Sequence, residues 1–155
     1  MKSNTKKLLL FLAIPLAVGG LSALLAGGFS DYKSVTQPPL SPPGWVFPLV
    51  WSILYLLMGY SSYRILQAQK DSFKTRNALI AYCVQLLLNF LWSPVFFGLG
   101  WYLTAFFLLI ALWIAIFVTI RLFSRLDQVA GDLLLPYLLW VTFAAYLNLG
   151  VFLLN

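Results

Sequence analysis

Tyr82, Gln85, Asn89, Trp92, Ser93 and Phe96 recur at intervals of three and four, and helical spacing puts such positions on one face. Pro48, Trp51, Tyr55, Met58, Gly59 and Ser62 form a second stripe of the same kind. Trp140, Phe143, Ala144, Leu147 and Asn148 form a third. Indole and phenol rings offer stacking surface, and a carboxamide among them offers one oriented polar contact, the usual division of labour in a small-molecule pocket. Helix packing alone also produces aromatic stripes, and Gln85 and Asn89 also suit hydrogen bonding to neighbouring helices. The spacing leaves both readings open.

The inventory narrows the chemistry. The chain has no His and no Glu, its carboxylates are Asp31, Asp71, Asp127 and Asp132, and Cys83 is the single cysteine. Clustered metal ligands, a Ser/His/Asp arrangement and a Cys/His pair are thereby ruled out, as is a disulfide within one chain. Cys83 lies in an apolar run and reads as a small buried hydrophobe. No run interior carries an ionisable group of the kind that ion-coupled transport uses.

Hydrophobic residues make up 62% of the 155 residues and charged ones 9%, against roughly 45–50% and about 25% in soluble domains. The chain is therefore expected to be an all-α integral membrane protein, a single domain in a five-transmembrane-helix bundle. Spans are expected at about 8–27, 45–66, 79–97, 101–120 and 133–154, each near the ~20 residues that cross a hydrocarbon core. A basic start and small residues near Ala26 also fit a cleavable signal peptide, although the apolar run exceeds the usual length for one. Gly19, Ala23 and Gly27 give that run a small face for close helix packing or a dimer contact. Pro15 and Pro94 are expected to kink their helices. Helix four is apolar on every side, as for a helix with much lipid contact.

Between the first two spans lies loop 28–44, containing Pro38, Pro39, Leu40, Ser41, Pro42, Pro43 and Gly44. Proline fixes φ and biases the preceding residue toward extended backbone, so this loop reads as a stiff lid. Lys2, Lys6, Lys7, Arg64, Lys70, Lys74, Arg76, Arg121 and Arg125 all fall at one end of the bundle, and only Lys33 at the other. Positive-inside logic puts the N-terminus in the cytoplasm and the C-terminus outside the plasma membrane. The net charge of +6 is thus a topology signal beside a lipid bilayer, and no nucleic acid partner is expected.

Three motifs then carry a resemblance. Pro42-Pro43-Gly44-Trp45 through Trp51, Tyr55 and Tyr60, then Gln85, Asn89, Trp92, Pro94 and Gly98, then Pro136, Tyr137, Trp140, Phe143 and Asn148, together resemble the translocator protein family, also called TspO or tryptophan-rich sensory protein. The resemblance implies a five-helix bundle, often a homodimer, with a pocket under loop one that binds a tetrapyrrole such as protoporphyrin IX or another flat apolar molecule. Mapped by motif, it implies a ligand site of Tyr32, Pro42, Trp51, Tyr55, Asn89, Trp92, Ser93, Trp140, Ala144 and Leu147. Trp51 and Trp140 are the indoles implied for light- and oxygen-dependent porphyrin degradation. No cofactor is required, and the lack of His favours a metal-free porphyrin over haem as ligand. Gln37 and Phe90 depart from the family's usual Lys and Trp. Porphyrin sensing, transport and degradation remain alternatives, beside a signalling or scaffold subunit whose pocket binds a regulatory apolar ligand.

Overall fold

A long uncharged run inside a bilayer must satisfy its own backbone groups, and a helix does so within one segment. The structure, a computed structural model, describes residues 2–27, 35–68 and 70–155, and no strand occurs among them. The described helices are α1 (Lys2–Leu25), α2 (Val46–Gln67), α3 (Ser72–Ser93), α4 (Tyr102–Leu126), a short α5 (Gln128–Asp132) and α6 (Leu135–Leu154). Five segments are long and apolar enough to cross a membrane, the last comprising α5 and α6 together. This is the expected all-α five-span bundle.

Helix ends move away from the hydropathy boundaries for local reasons. Asp71 accepts the Lys74 N–H at 3.0 Å, and this cap lets α3 begin seven residues before its apolar run. α4 continues through Arg121 and Arg125, whose long side chains carry their charge away from an apolar backbone. Asp127 then turns extended at φ −154° and caps α5 by accepting the Val129 N–H at 3.0 Å. Pro94 has no N–H to give, and the chain answers by widening into a π-helical turn over Pro94–Gly98. There Leu99 donates to the Pro94 carbonyl at 2.9 Å.

α3 packs on α4, α4 on α6, and α1 on α2 and α3. α4 buries Ala105, Leu109, Leu112, Ile116 and Phe123 while Phe107, Ile114 and Phe117 face outward. Both faces are apolar, so its neighbours rather than its chemistry choose which one is inside. Cys83 is a correction: it is exposed on α3, between Ile80 and Leu87 on the same outward side, where lipid is as hospitable to a thiol as a protein core. The small face of α1 is also corrected. Its buried positions are Pro15, Gly19 and Ser22, followed by a buried Ala26 in the turn after the helix, where Gly27 adopts φ +79°.

Close approach of α1 and α2 depends on two glycines. A Cβ on Gly19 would enter the Tyr55 ring, and one on Gly59 would meet the Phe11 carbonyl and lie 2.7 Å from the Leu12 Cα. At the charged end, Arg64 of α2 donates to both Asp127 oxygens, at 2.9 and 3.4 Å, and the Ser61 hydroxyl donates to the Ala130 carbonyl at 2.6 Å. Partial burial raises the Asp127 carboxyl, but the Arg64 guanidinium and the Val129 and Ala130 N–H groups outweigh it and hold it below its ordinary 3.8.

Gly59→Leu is expected to destabilise by about 1–3 kcal/mol through overpacking against α1 backbone, read as a lower thermal midpoint in detergent. Asp127→Asn keeps the cap and loses the charge. A depressed carboxyl contributes stability that is complete above its unfolded value and lost as pH falls through its folded one. The wild type is therefore expected to melt above Asp127→Asn at pH 7, the gap closing as pH falls below 3.8.

Candidate functional site

With Gly19 drawn against Tyr55, the small side of α1 leaves space where a larger residue would fill it. The space is a cavity of about 190 Å³ among α1, α2 and α3. Its walls are Trp51 and Tyr55 from α2, Asn89, Trp92 and Ser93 from α3, and the stretch from Leu16 to Ala23 on α1. Trp51 stacks on Tyr55 at 5.6 Å between centroids and meets Tyr137 edge-on at 6.2 Å. Leu16, Gly20, Pro48 and Ser52, which also line it, are exposed. The cavity thus opens sideways between α1 and α2, toward the lipid side of the bundle.

One run of hydrogen bonds fixes the inner wall. The Tyr55 hydroxyl donates to Asn89 Oδ1 at 2.8 Å, Asn89 Nδ2 donates to the Tyr137 hydroxyl at 2.7 Å, and Tyr137 donates to Gln85 Oε1 at 2.7 Å. All four residues are buried. The run joins α2, α3 and α6, so Gln85 acts as the interhelical partner its position allowed. Asn89 is largely committed to protein contacts, although an amide of this kind retains a second N–H and a second lone pair. Gln85 Nε2 ends the run without a partner among the described residues.

Trp92 is held separately: its indole N–H donates to Asn148 Oδ1 at 3.0 Å, and Asn148 Nδ2 donates to the Tyr102 carbonyl at 2.8 Å. The Trp92 ring divides the main cavity from a second void of about 20 Å³ lined by Ser41, Phe47, Phe96, Ala144 and Leu147.

The structure therefore brings five of the expected residues, Trp51, Tyr55, Asn89, Trp92 and Ser93, to one cavity and sets Ala144 and Leu147 across Trp92 from it. Trp140 is half-buried against Phe47, with ring centroids 6.0 Å apart, and lines neither space; its indole nitrogen is buried without a partner among the described residues. Pro42 is half-buried in the loop and borders neither space, and Tyr32 lies outside the described residues. The described part of the loop is fastened to the end of α6. Tyr146 donates to the Pro39 carbonyl at 2.7 Å, Thr36 and Asn155 exchange hydrogen bonds at 3.0 and 2.8 Å, and Pro38 packs on Gly150.

Sequence reasoning missed the α1 wall and Tyr137. The α1 signal was present in Gly19 and Ala23, read there as packing. Tyr137 lies three residues before Trp140 and so on the same helical stripe, but its role depends on which α3 residue it meets.

Five apolar spans around an aromatic cavity define a multi-pass α-helical membrane protein with an internal small-molecule-sized space. Residues 11–154 match the TspO/MBR family. The chain is 40% identical over 124 residues to a tryptophan-rich sensory protein of Cereibacter sphaeroides, covering 80% of this chain and 76% of that one. It is 36% identical over 137 residues to protein CrtK of Rhodobacter capsulatus, with 88% and 85% covered. It is 36% identical over 133 residues to the translocator protein of Ovis aries, with 83% and 77% covered. The chain belongs to the TspO/MBR family.

Asn89→Leu strands the Tyr55 hydroxyl and removes the N–H that Tyr137 accepts, and is expected to cost about 1–3 kcal/mol, seen as a lower thermal midpoint. Ser93→Ala, which removes no hydrogen bond among the described residues, is expected to leave that midpoint unchanged.

Proposed function

We propose that this chain binds a flat, largely apolar tetrapyrrole such as protoporphyrin IX and acts in its sensing, transport or light- and oxygen-dependent degradation. The observation that carries the reading is the cavity bounded by Trp51, Tyr55 and Trp92, with Asn89 and Ser93 among its polar groups. Stacked rings add about 0.5–1.5 kcal/mol each beyond burial, so a macrocycle needs no coordinated ion to be held. Among the described residues no group of His, Cys, Asp or Glu could hold a metal.

Size sets a condition on this reading. About 190 Å³ is less than the roughly 300–1,000 Å³ of drug-sized sites, so a whole macrocycle requires the walls to part. α1 is the wall that gives, being the least buried of the five spans and meeting α2 through glycines. The ligand then enters edge-on from the bilayer between Gly20 and Ser52. Trp51 supplies the indole nearest an excited ring, and Trp140 acts only if the macrocycle reaches past Phe47. Positive-inside logic orients the chain in the plasma membrane with its N-terminus cytoplasmic.

Titration of the purified protein with protoporphyrin IX is expected to quench Trp emission and shift the porphyrin absorbance. Trp51→Phe and Trp92→Leu should each weaken binding by roughly twofold to tenfold, and Gly20→Trp, which plugs the opening, by more. Undiminished binding in all three would defeat the assignment. Under illumination in air, product formation should fall in Trp51→Phe; equal conversion in a protein-free control removes the degradative role.

A further inference from the structure

At the end of the bundle that carries Arg64, away from the proline-rich loop, Arg64, Lys70, Ser124, Arg125, Asp127 and Gln128 line an open cleft of about 470 Å³. Its charges do not cancel. Asp127 is its one acid, and both carboxylate oxygens are taken by Arg64, with the Val129 N–H sharing one of them at 3.0 Å. Gln128 spends its side-chain N–H on Asp132 at 2.9 Å. Lys70 and Arg125 are exposed, and among the described residues neither forms an ion pair. Neighbouring Asp71 accepts from the Lys74 backbone. Two cations and the Ser124 hydroxyl therefore line one concavity whose single lining carboxylate is already engaged by Arg64.

That donor set suits a phosphate-type oxyanion: a guanidinium fork, a compact ammonium and a hydroxyl around a tetrahedral group. Location separates a lipid from a soluble ion. Arg64 and Arg125 sit in the last turns of α2 and α4, and the 22 residues of α2 span about 33 Å at 1.5 Å each, close to a hydrocarbon core of about 30 Å. The cleft thus falls at headgroup depth. The same end of the bundle exposes Leu66, Phe73 and Val129, apolar surface that an acyl or glycerol portion covers and a free ion does not. Orientation alone needs basic residues near span ends; it does not need them gathered around one hollow beside a neutralised Arg64.

From this convergence we infer that the cleft is a binding site for the phosphodiester headgroup of an anionic phospholipid, held by Arg125 and Lys70 and braced by the Arg64–Asp127 pair. Occupation ties the end of α2 to the end of α4, through a site separate from the aromatic cavity.

Native mass spectrometry of the detergent-purified full chain tests this with phosphatidylglycerol, phosphatidylcholine of the same acyl chains, and inorganic phosphate. The wild type is expected to retain phosphatidylglycerol in preference to phosphatidylcholine. The double substitution Lys70→Gln/Arg125→Gln should reduce that preference by roughly fivefold for each charge removed. Lys6→Gln/Lys7→Gln, which removes the same charge from α1, should leave it intact. Equal retention of the two lipids, or equal loss in both double variants, overturns the site. Displacement of the lipid by inorganic phosphate at matching concentration overturns the assignment to lipid. Because among the described residues neither the Lys70 nor the Arg125 side chain forms an ion pair, each single substitution serves as the check should the double variant melt early, and preference unchanged in both singles also overturns it.

Discussion

A hydrogen bond left unmade in the middle of a bilayer has no water to turn to, and this constraint settles the centre of the bundle. Tyr55, Asn89, Tyr137 and Gln85 answer it by pairing with one another across α2, α3 and α6. Such a chain fixes rotation as well as distance. If α3 turned by one residue, Asn89 and Gln85 would leave the positions from which they meet the two tyrosine hydroxyls. The aromatic wall inherits its orientation from this, since Trp51 stacks on the same Tyr55 whose hydroxyl is held by Asn89. Trp92 is set independently through Asn148 and the Tyr102 carbonyl, which brings the start of α4 into the same frame.

Against this fixed wall, α1 is a softer partner. Glycines at the α1–α2 contact permit close approach, and the Ser22 hydroxyl reaches the Phe90 carbonyl at 2.7 Å, but most of the helix is exposed. A rigid inner surface facing a lightly held outer one makes a space that opens toward lipid. An apolar molecule dissolved in the bilayer meets that opening without crossing water.

The two ends of the bundle are finished differently. At one end, proline-rich backbone is latched to the last turns of α6 by Tyr146, Gly150 and Asn155. At the other, Arg64 and Asp127 join α2 to the segment between α4 and α5, in a setting rich in uncompensated positive charge. The first closes the bundle through backbone and packing, the second through charge.

The five spans were legible in the sequence because a bilayer imposes one simple requirement, an apolar run of sufficient length, and composition met it. The inward faces of α2 and α3 were legible too, since Trp51, Tyr55, Gln85, Asn89 and Trp92 are polar or aromatic positions at helical intervals in largely apolar helices. What the sequence did not decide was which faces meet. α4 is apolar all round, so only packing could select its buried side, and Cys83 is as compatible with lipid as with a core. Trp140 shares its helix face with Ala144 and Leu147, yet it packs against Phe47 while those two border the small void beside Trp92. Periodicity reports the direction in which a side chain leaves its own helix. Whether a void, a ring or another helix waits there is decided only when all the helices pack together.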